Sequence, residues 1–140
     1  HITISQRIPV LAVVSSNGYY YVDSDRRVMP IRGEVDKNLP MLNGAVTERA
    51  AMAEYFDFVS WLRDDKYWKE RIRAIHVKTS KYIVLTQEGS DAKIILGELE
   101  DYEDKLAKLR QLYTKGFDQI GYPEYREYDL RFDNQVVGRK

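Results

Sequence analysis

The fold is decided by residues 72–115, which read IRAIHVKTSKYIVLTQEGSDAKIILGELEDYEDKLAKLRQLYTK. Three β-branched, apolar runs, at 72–77, 82–86 and 92–96, are separated by polar turns and predict three consecutive antiparallel strands. From about Asp101 onward, apolar side chains recur every three or four residues, which predicts a helix with one apolar face. Acidic side chains crowd its start and basic ones follow, an order that complements the helix dipole. This helix should end near Lys115.

The segments on either side extend the same pattern. Further elements are predicted as strands at 7–14, 19–23, 28–31, 124–132 and 135–139, a helix at 47–63, and an ordered loop at 39–44. The apolar faces of the two helices are predicted to carry Met52, Tyr55, Phe56, Val59 and Leu62 in the first, and Tyr102, Leu106, Leu109, Leu112 and Tyr113 in the second. The fold class is therefore α+β, an antiparallel β-sheet meander with two main helices packed against it.

The composition excludes several classes of function. The chain has 140 residues, no cysteine, and 22 basic residues against 22 acidic ones. This length is typical of one domain that folds without a disulfide or a metal, and we expect a monomer without cofactor. A net charge of zero argues against a nucleic-acid partner. The longest apolar run, 8–14, is too short to span a bilayer. Because the chain starts at His1 rather than methionine, we expect targeting segments to lie upstream.

No catalytic pattern stands out. His76 is an isolated histidine in a predicted strand, and serine-triad and phosphate-binding motifs are absent. The acidic pairs Asp23/Asp25 and Asp64/Asp65 could serve a hydrolase, but solvated turn residues are the more economical interpretation. Two histidines without cysteine make a transition-metal site improbable.

Five short motifs occur in the order in which one bacterial family carries them. They are Arg7-Ile8-Pro9, Tyr21-Val22-Asp23, Leu39-Pro40-Met41-Leu42-Asn43-Gly44, Leu96-Gly97 before Lys105-Leu106, and Asp129-Leu130-Arg131-Phe132-Asp133-Asn134 before Val136-Val137. On these motifs the chain resembles the β domain of the cell-division protein FtsQ (DivIB) over nearly its whole length. Two turns depart from the family pattern, because Ser24–Arg27 lacks a glycine and Gln135 follows Asn134. The closing turn suggests a distant lineage, and we expect a Bacteroidota-type member.

The resemblance implies that residues 1–140 are a single extracytoplasmic FtsQ-like β domain, with a transmembrane helix and a POTRA domain upstream. It implies a single-pass protein of the cell inner membrane whose β domain lies on the periplasmic side. There it would be a non-enzymatic scaffold of the divisome, bound to FtsB/DivIC-like and FtsL-like partners during septation. It implies no catalytic residue, cofactor or metal.

The resemblance also implies where the partner binds. In the family, a partner adds a strand at the final edge of the sheet, where backbone N–H and C=O groups lack a neighbour. By motif position, Phe132 takes the place of a partner-contacting aromatic, Asn134 that of a small polar residue, and Arg131 that of an arginine available to an acidic side chain. Val136 and Gly138 lie along the final strand. Since neighbours in a strand face opposite sides, Arg131 and Phe132 are not expected to face the partner equally.

Two other classes of function stay open at the level of sequence. One is a small-ligand or glycan-binding module that uses the eleven tyrosines, which a cluster of tyrosines around one concave pocket would support. The other is an enzyme with a carboxylate pair, which two carboxylates facing each other across a cleft would support. An exposed sheet edge would favour the scaffold.

Overall fold

A large sheet with helices on one face organises the chain in its computed structural model, which describes residues 8–15, 18–116, 125–132 and 136–139. The elements are, in order, β1 (Pro9–Ser15), β2 (Gly18–Asp23), β3 (Val28–Pro30), β4 (Met41–Gly44), α1 (Glu48–Met52), α2 (Glu54–Asp64), β5 (Ile72–Thr79), β6 (Tyr82–Gln87), β7 (Ser90–Gly97), α3 (Tyr102–Gly116), β8 (Glu127–Asp129) and β9 (Val137–Arg139). The expected α+β class and its two main helices, α2 and α3, are confirmed.

The sheet is mixed rather than the expected antiparallel meander. Its order is β3-β2-β1-β4-β5-β6-β7-β8-β9, and β4 pairs parallel with both β1 and β5, as β8 does with β7. Two of these parallel pairs arise because helices carry the chain back along the sheet, α1 and α2 between β4 and β5, and α3 between β7 and β8. For β1 and β4, residues 31–40 carry the chain back after β3. Turn signals in the sequence identify hairpins, whereas they do not reveal such crossovers.

The predicted loop at 39–44 contains strand β4 in the middle of the sheet. Leu42 is fully buried and pairs with Val13 on β1 and Ile75 on β5. The strand ends at Gly44, whose φ of +102° is unfavourable for other residues, and a Cβ there would overlap the Val77 carbonyl oxygen. Because Pro40 precedes this four-residue strand and Gly44 ends it, the sequence pattern is typical of a loop.

The predicted helix at 47–63 is divided in two. Thr47 caps α1, because its side chain accepts a hydrogen bond from the Ala50 N–H, and the chain leaves helical geometry at Ala53. The first helix is therefore one short turn, and α2 supplies most of the apolar face. Phe58, which was not predicted on that face, is fully buried there.

The core lies between the helices and one face of the sheet. One cross-strand row of buried side chains runs through Leu42, Ile75, Leu85, Ile94 and Tyr128. It belongs to the same apolar cluster as the buried face of α3, which consists of Leu106, Leu109 and Tyr113 as predicted. All three helices therefore contribute to one layer on one side of the sheet.

The opposite face of the sheet, which we call the open face, carries the alternate side chains. It includes Asn43, His76, Thr86, Lys93 and Glu127, and it forms a shallow cavity of about 260 Å³ lined by strand residues. Antiparallel and mixed sheets commonly leave one face to solvent in this way.

Candidate functional site

The candidate site is the edge of the sheet formed by β9. The Lys93 N–H donates to the Arg126 carbonyl, and the Leu130 N–H donates to the Ile95 carbonyl. Residues 128 and 130 therefore direct their backbone groups to β7, and residues 127 and 129 direct theirs to β9. Arg126 faces both strands, since its carbonyl accepts from Lys93 and its N–H donates to the Arg139 carbonyl of β9. Since Val137 and Arg139 pair with residues 129 and 127, the backbone groups of Gly138 point away from the sheet. In an extended chain the same alternation turns those of Val136, the residue before β9, outward.

No other strand of the described residues lies beyond β9. Its outward N–H and C=O groups thus have the geometry that a further strand requires. The edge is short, since β9 comprises three residues.

The opposite edge of the sheet is different. The Asp23 N–H donates to the Arg27 carbonyl, and Tyr21 pairs with Met29. By alternation, Met29 directs its backbone groups to β2, and Val28 and Pro30 direct theirs outward. Proline has no N–H to donate, so the β3 edge lacks a donor where a neighbouring strand would need one.

A buried carboxylate fixes the structure behind β9. Asp129 is fully buried in β8 and accepts from Arg131 Nε at 2.9 Å, Arg131 Nη2 at 2.7 Å and Arg139 Nη1 at 2.9 Å. The Arg131 backbone N–H also donates to it, at 3.1 Å. Burial alone would raise the pKa of Asp129, but the bonds from Arg131 and Arg139 outweigh it and lower the pKa to about 2. The carboxylate ties β9 to β8 and anchors the segment after β8.

The side chain of Arg131 lies across Gly97 and is 38% exposed. A Cβ on Gly97 would come within 2.7 Å of Arg131 Cγ, and the φ of Gly97 is +81°. The guanidinium also lies over the ring of Tyr82, 5.2 Å from its centroid. Arg131 is thus held by Asp129 and Tyr82, with part of its surface open to solvent.

The other predicted partner-binding residues are close to this edge where the structure describes them. Phe132 is 43% exposed, which is unusual for a phenylalanine and fits a contact residue. Val136 and Gly138 are half-buried at the edge, while Asn134 lies outside the described residues. Arg131, Phe132, Val136 and Gly138 therefore occupy one end of the sheet, and their role in binding stays a prediction.

The residues weighed for catalysis have local roles. The Asp23 carboxylate accepts from the backbone N–H groups of Asp25 and Arg27, and Asp65 does the same for Tyr67 and Trp68. These are turn positions as expected, although Asp23 is buried rather than solvated.

On the open face, His76 lies beside Asn43 and a single tyrosine. His76 Nδ1 contacts Asn43 Oδ1 on the open face. Only one tyrosine, Tyr82, lines the open-face cavity, so a tyrosine platform is not formed there. The described residues also contain no group of three or more histidine, cysteine or acidic side chains suited to a metal ion.

Comparison with known proteins identifies the family. A family model described as FtsQ/DivIB, C-terminal related, matches residues 8–139. The chain belongs to this family. The FtsQ/DivIB resemblance of the five sequence motifs is thereby confirmed.

A solved structure shares the FtsQ/DivIB fold. It is the major extracytoplasmic domain of the trans isomer of the bacterial cell division protein DivIB from Geobacillus stearothermophilus. The likeness has a TM-score of 0.54 at 14% identity and covers 83% of this chain and 98% of the other. No curated protein sequence matches the chain. Among the described residues, no helix is long and apolar enough to cross a bilayer.

Three residues at this edge escaped the sequence reasoning. Asp129 belongs to the last of the five motifs, but its burial beneath two arginines depends on the pairing of β8 with β9. Arg139 joins the edge through the same pairing, and the ring of Tyr125, two residues before β8, covers Gly138. The spacing of acid and arginine in the motif is a signal for this contact, since side chains two residues apart in an extended segment lie on the same side.

Proposed function

We propose that this chain is the periplasmic β domain of an inner-membrane divisome scaffold that binds FtsB/DivIC-like and FtsL-like proteins by strand addition at β9. The proposal includes a non-enzymatic role and an extracytoplasmic location. Its support is the membership of the FtsQ/DivIB, C-terminal related family and the likeness to a DivIB extracytoplasmic domain.

The observation that carries the proposal is the difference between the two edges of the sheet. At β9, Gly138 turns its N–H and C=O groups outward and Val136 continues the alternation, whereas at β3 one of the two outward positions, Pro30, has no N–H. A strand can therefore add with complete hydrogen bonding at the β9 edge and not at the β3 edge. The exposed ring of Phe132, three residues beyond the end of β8, provides apolar contact area for the same partner.

Proline at Val136 tests the mechanism. It removes an outward donor and leaves the bonds of Val137 and Arg139 to β8 in place, so the fold should persist while binding weakens. We expect the affinity for a purified FtsB/DivIC-like and FtsL-like complex from the same cells, measured by calorimetry, to fall by about tenfold or more, equivalent to about 1.4 kcal/mol.

The matched control is Lys37→Pro. Lys37 occupies the second position of a turn closed by the Leu39 N–H to the Asp36 carbonyl, where proline is favoured. This variant should bind like the unchanged chain. If Val136→Pro remains folded by circular dichroism and binds with unchanged affinity, strand addition at β9 is the wrong mechanism.

A further inference from the structure

The two sides of β9 offer different surroundings to a neighbouring strand. Gly138 pairs with Tyr128, which lies in the core, so Gly138 and Val136 face the helix side of the sheet. Val137 pairs with Asp129 and faces the open face together with Arg139. Any strand that adds at β9 will place its own alternate side chains on these same two sides.

On the helix side, the core ends in an aromatic ring. The ring of Tyr125 covers Gly138, and a Cβ on this glycine would lie 2.6 Å from Tyr125 Cδ2. Gly138 is required here for space, because its backbone does not adopt a positive φ. Tyr125 meets Tyr128 edge to face, with ring centroids 5.8 Å apart, and Val136 packs against the same core. The apolar core therefore continues to the last strand and ends there half-buried.

On the open face, β9 borders charged groups. Arg139 bonds to the buried Asp129 and lies 3.6 Å from Glu127, and Arg131 holds the other side of Asp129. An apolar side chain placed here would displace water from these charges without offering them a partner. A polar side chain would keep them solvated.

We propose that the strand that adds at β9 carries a large apolar side chain opposite Gly138, packed on the Tyr125 ring, and polar side chains at the two flanking positions. This inference rests on the proposed strand addition and specifies the partner's chemistry: an extended segment that alternates polar, apolar, polar. Gly138 sets the register of the added strand. Because glycine has no side chain, the Tyr125 ring can lie against it at the edge of the sheet. Tyr125 is accordingly a specificity-determining residue of the interface.

Two capped peptides test the proposal on the full 140-residue chain. One is Thr-Lys-Thr-Thr-Leu-Thr-Thr-Lys-Thr, and the other has serine in place of leucine. Amide NMR titration reports both the affinity and the site, through the shift of the Gly138 N–H. We expect both peptides to shift this amide and the leucine peptide to bind about tenfold more tightly, since partial burial of one leucine side chain has this effect.

The variant Tyr125→Ala should bring the affinity ratio of the two peptides close to one. Its control, Tyr19→Ala, removes an exposed ring from β2, towards the opposite edge of the sheet, and should preserve the ratio. A nuclear Overhauser contact between the leucine methyls and the Tyr125 ring in the unchanged chain tests the same point without relying on the variant's folding.

The possible results separate the two proposals. If both peptides shift the Gly138 amide with equal affinity, or if the leucine contacts no Tyr125 proton, strand addition stands and the side-chain preference is wrong. If neither peptide shifts the Gly138 amide, strand addition itself is wrong at this edge, and the inference about Tyr125 is overturned with it.

Discussion

Replacing Asp129 with asparagine should destabilise the domain by about 2–3 kcal/mol at pH 7. The carboxylate is fully buried and accepts three hydrogen bonds from two arginine side chains. A pKa lowered from 3.8 to about 2 corresponds to about 2.4 kcal/mol of stabilisation of the charged form. The side chains of Arg131 and Arg139 are 38% and 41% exposed, so water can solvate them once the carboxylate is gone. The loss of stability should therefore stay below the full cost of leaving a buried charge without a partner.

Urea unfolding at a series of pH values measures this contribution and its sign. Because the pKa of Asp129 is lower in the folded state, its stabilisation is complete above the unfolded pKa of about 3.9 and is lost as pH falls through about 2. The difference in unfolding free energy between the unchanged chain and Asp129→Asn should therefore shrink over this interval.

The control is Asp57→Asn. Asp57 pairs with Arg26, and both side chains are about half exposed, so this change should cost less than about 1 kcal/mol. A loss below about 0.5 kcal/mol for Asp129→Asn at pH 7, or one that does not change between pH 4 and pH 2, would show that the buried cluster does not stabilise the edge.

Two further perturbations test the core and the central strand. Leu109→Ala, in the buried face of α3, should cost about 2–5 kcal/mol by urea denaturation, while Gln111→Ala on the exposed side should change stability by less than about 0.5 kcal/mol. Gly44→Ala should lower the melting temperature far more than Gly89→Ala: both glycines have positive φ, but only at Gly44 would the new Cβ meet backbone, that of Val77. Equal melting temperatures for the two glycine variants would contradict the close approach of β4 to β5.

Local patterns predicted most elements of this fold. The spacing of Leu106, Leu109 and Tyr113 at three- and four-residue steps predicts α3 and its buried face. The prediction succeeds because the apolar face of a helix is visible in the helix's own sequence. The strands from 72 to 97 followed from apolar runs and polar turns. What the sequence could not reveal were relations between distant segments: β4 is a strand only because β1 and β5 flank it.

The candidate site, too, is only partly predictable from the sequence. The motif around Arg131 and Phe132 indicated the correct end of the chain, but it could not indicate that Asp129 is buried or that Tyr125 covers Gly138. Both facts depend on the pairing of β8 with β9, for which three residues of each strand offer little pattern. The location of the candidate site came from the family resemblance rather than from local sequence patterns.

Pro30 has a consequence for the size of the assemblies this domain can enter. Sheets with two receptive margins can polymerise, since each new copy leaves another margin for the next. With Pro30 at one margin, a strand added there would lack a hydrogen bond, so growth of the sheet is disfavoured in that direction. If a strand adds at the β9 margin as proposed, its outer edge becomes the new boundary of the sheet, and that strand decides whether the sheet extends further.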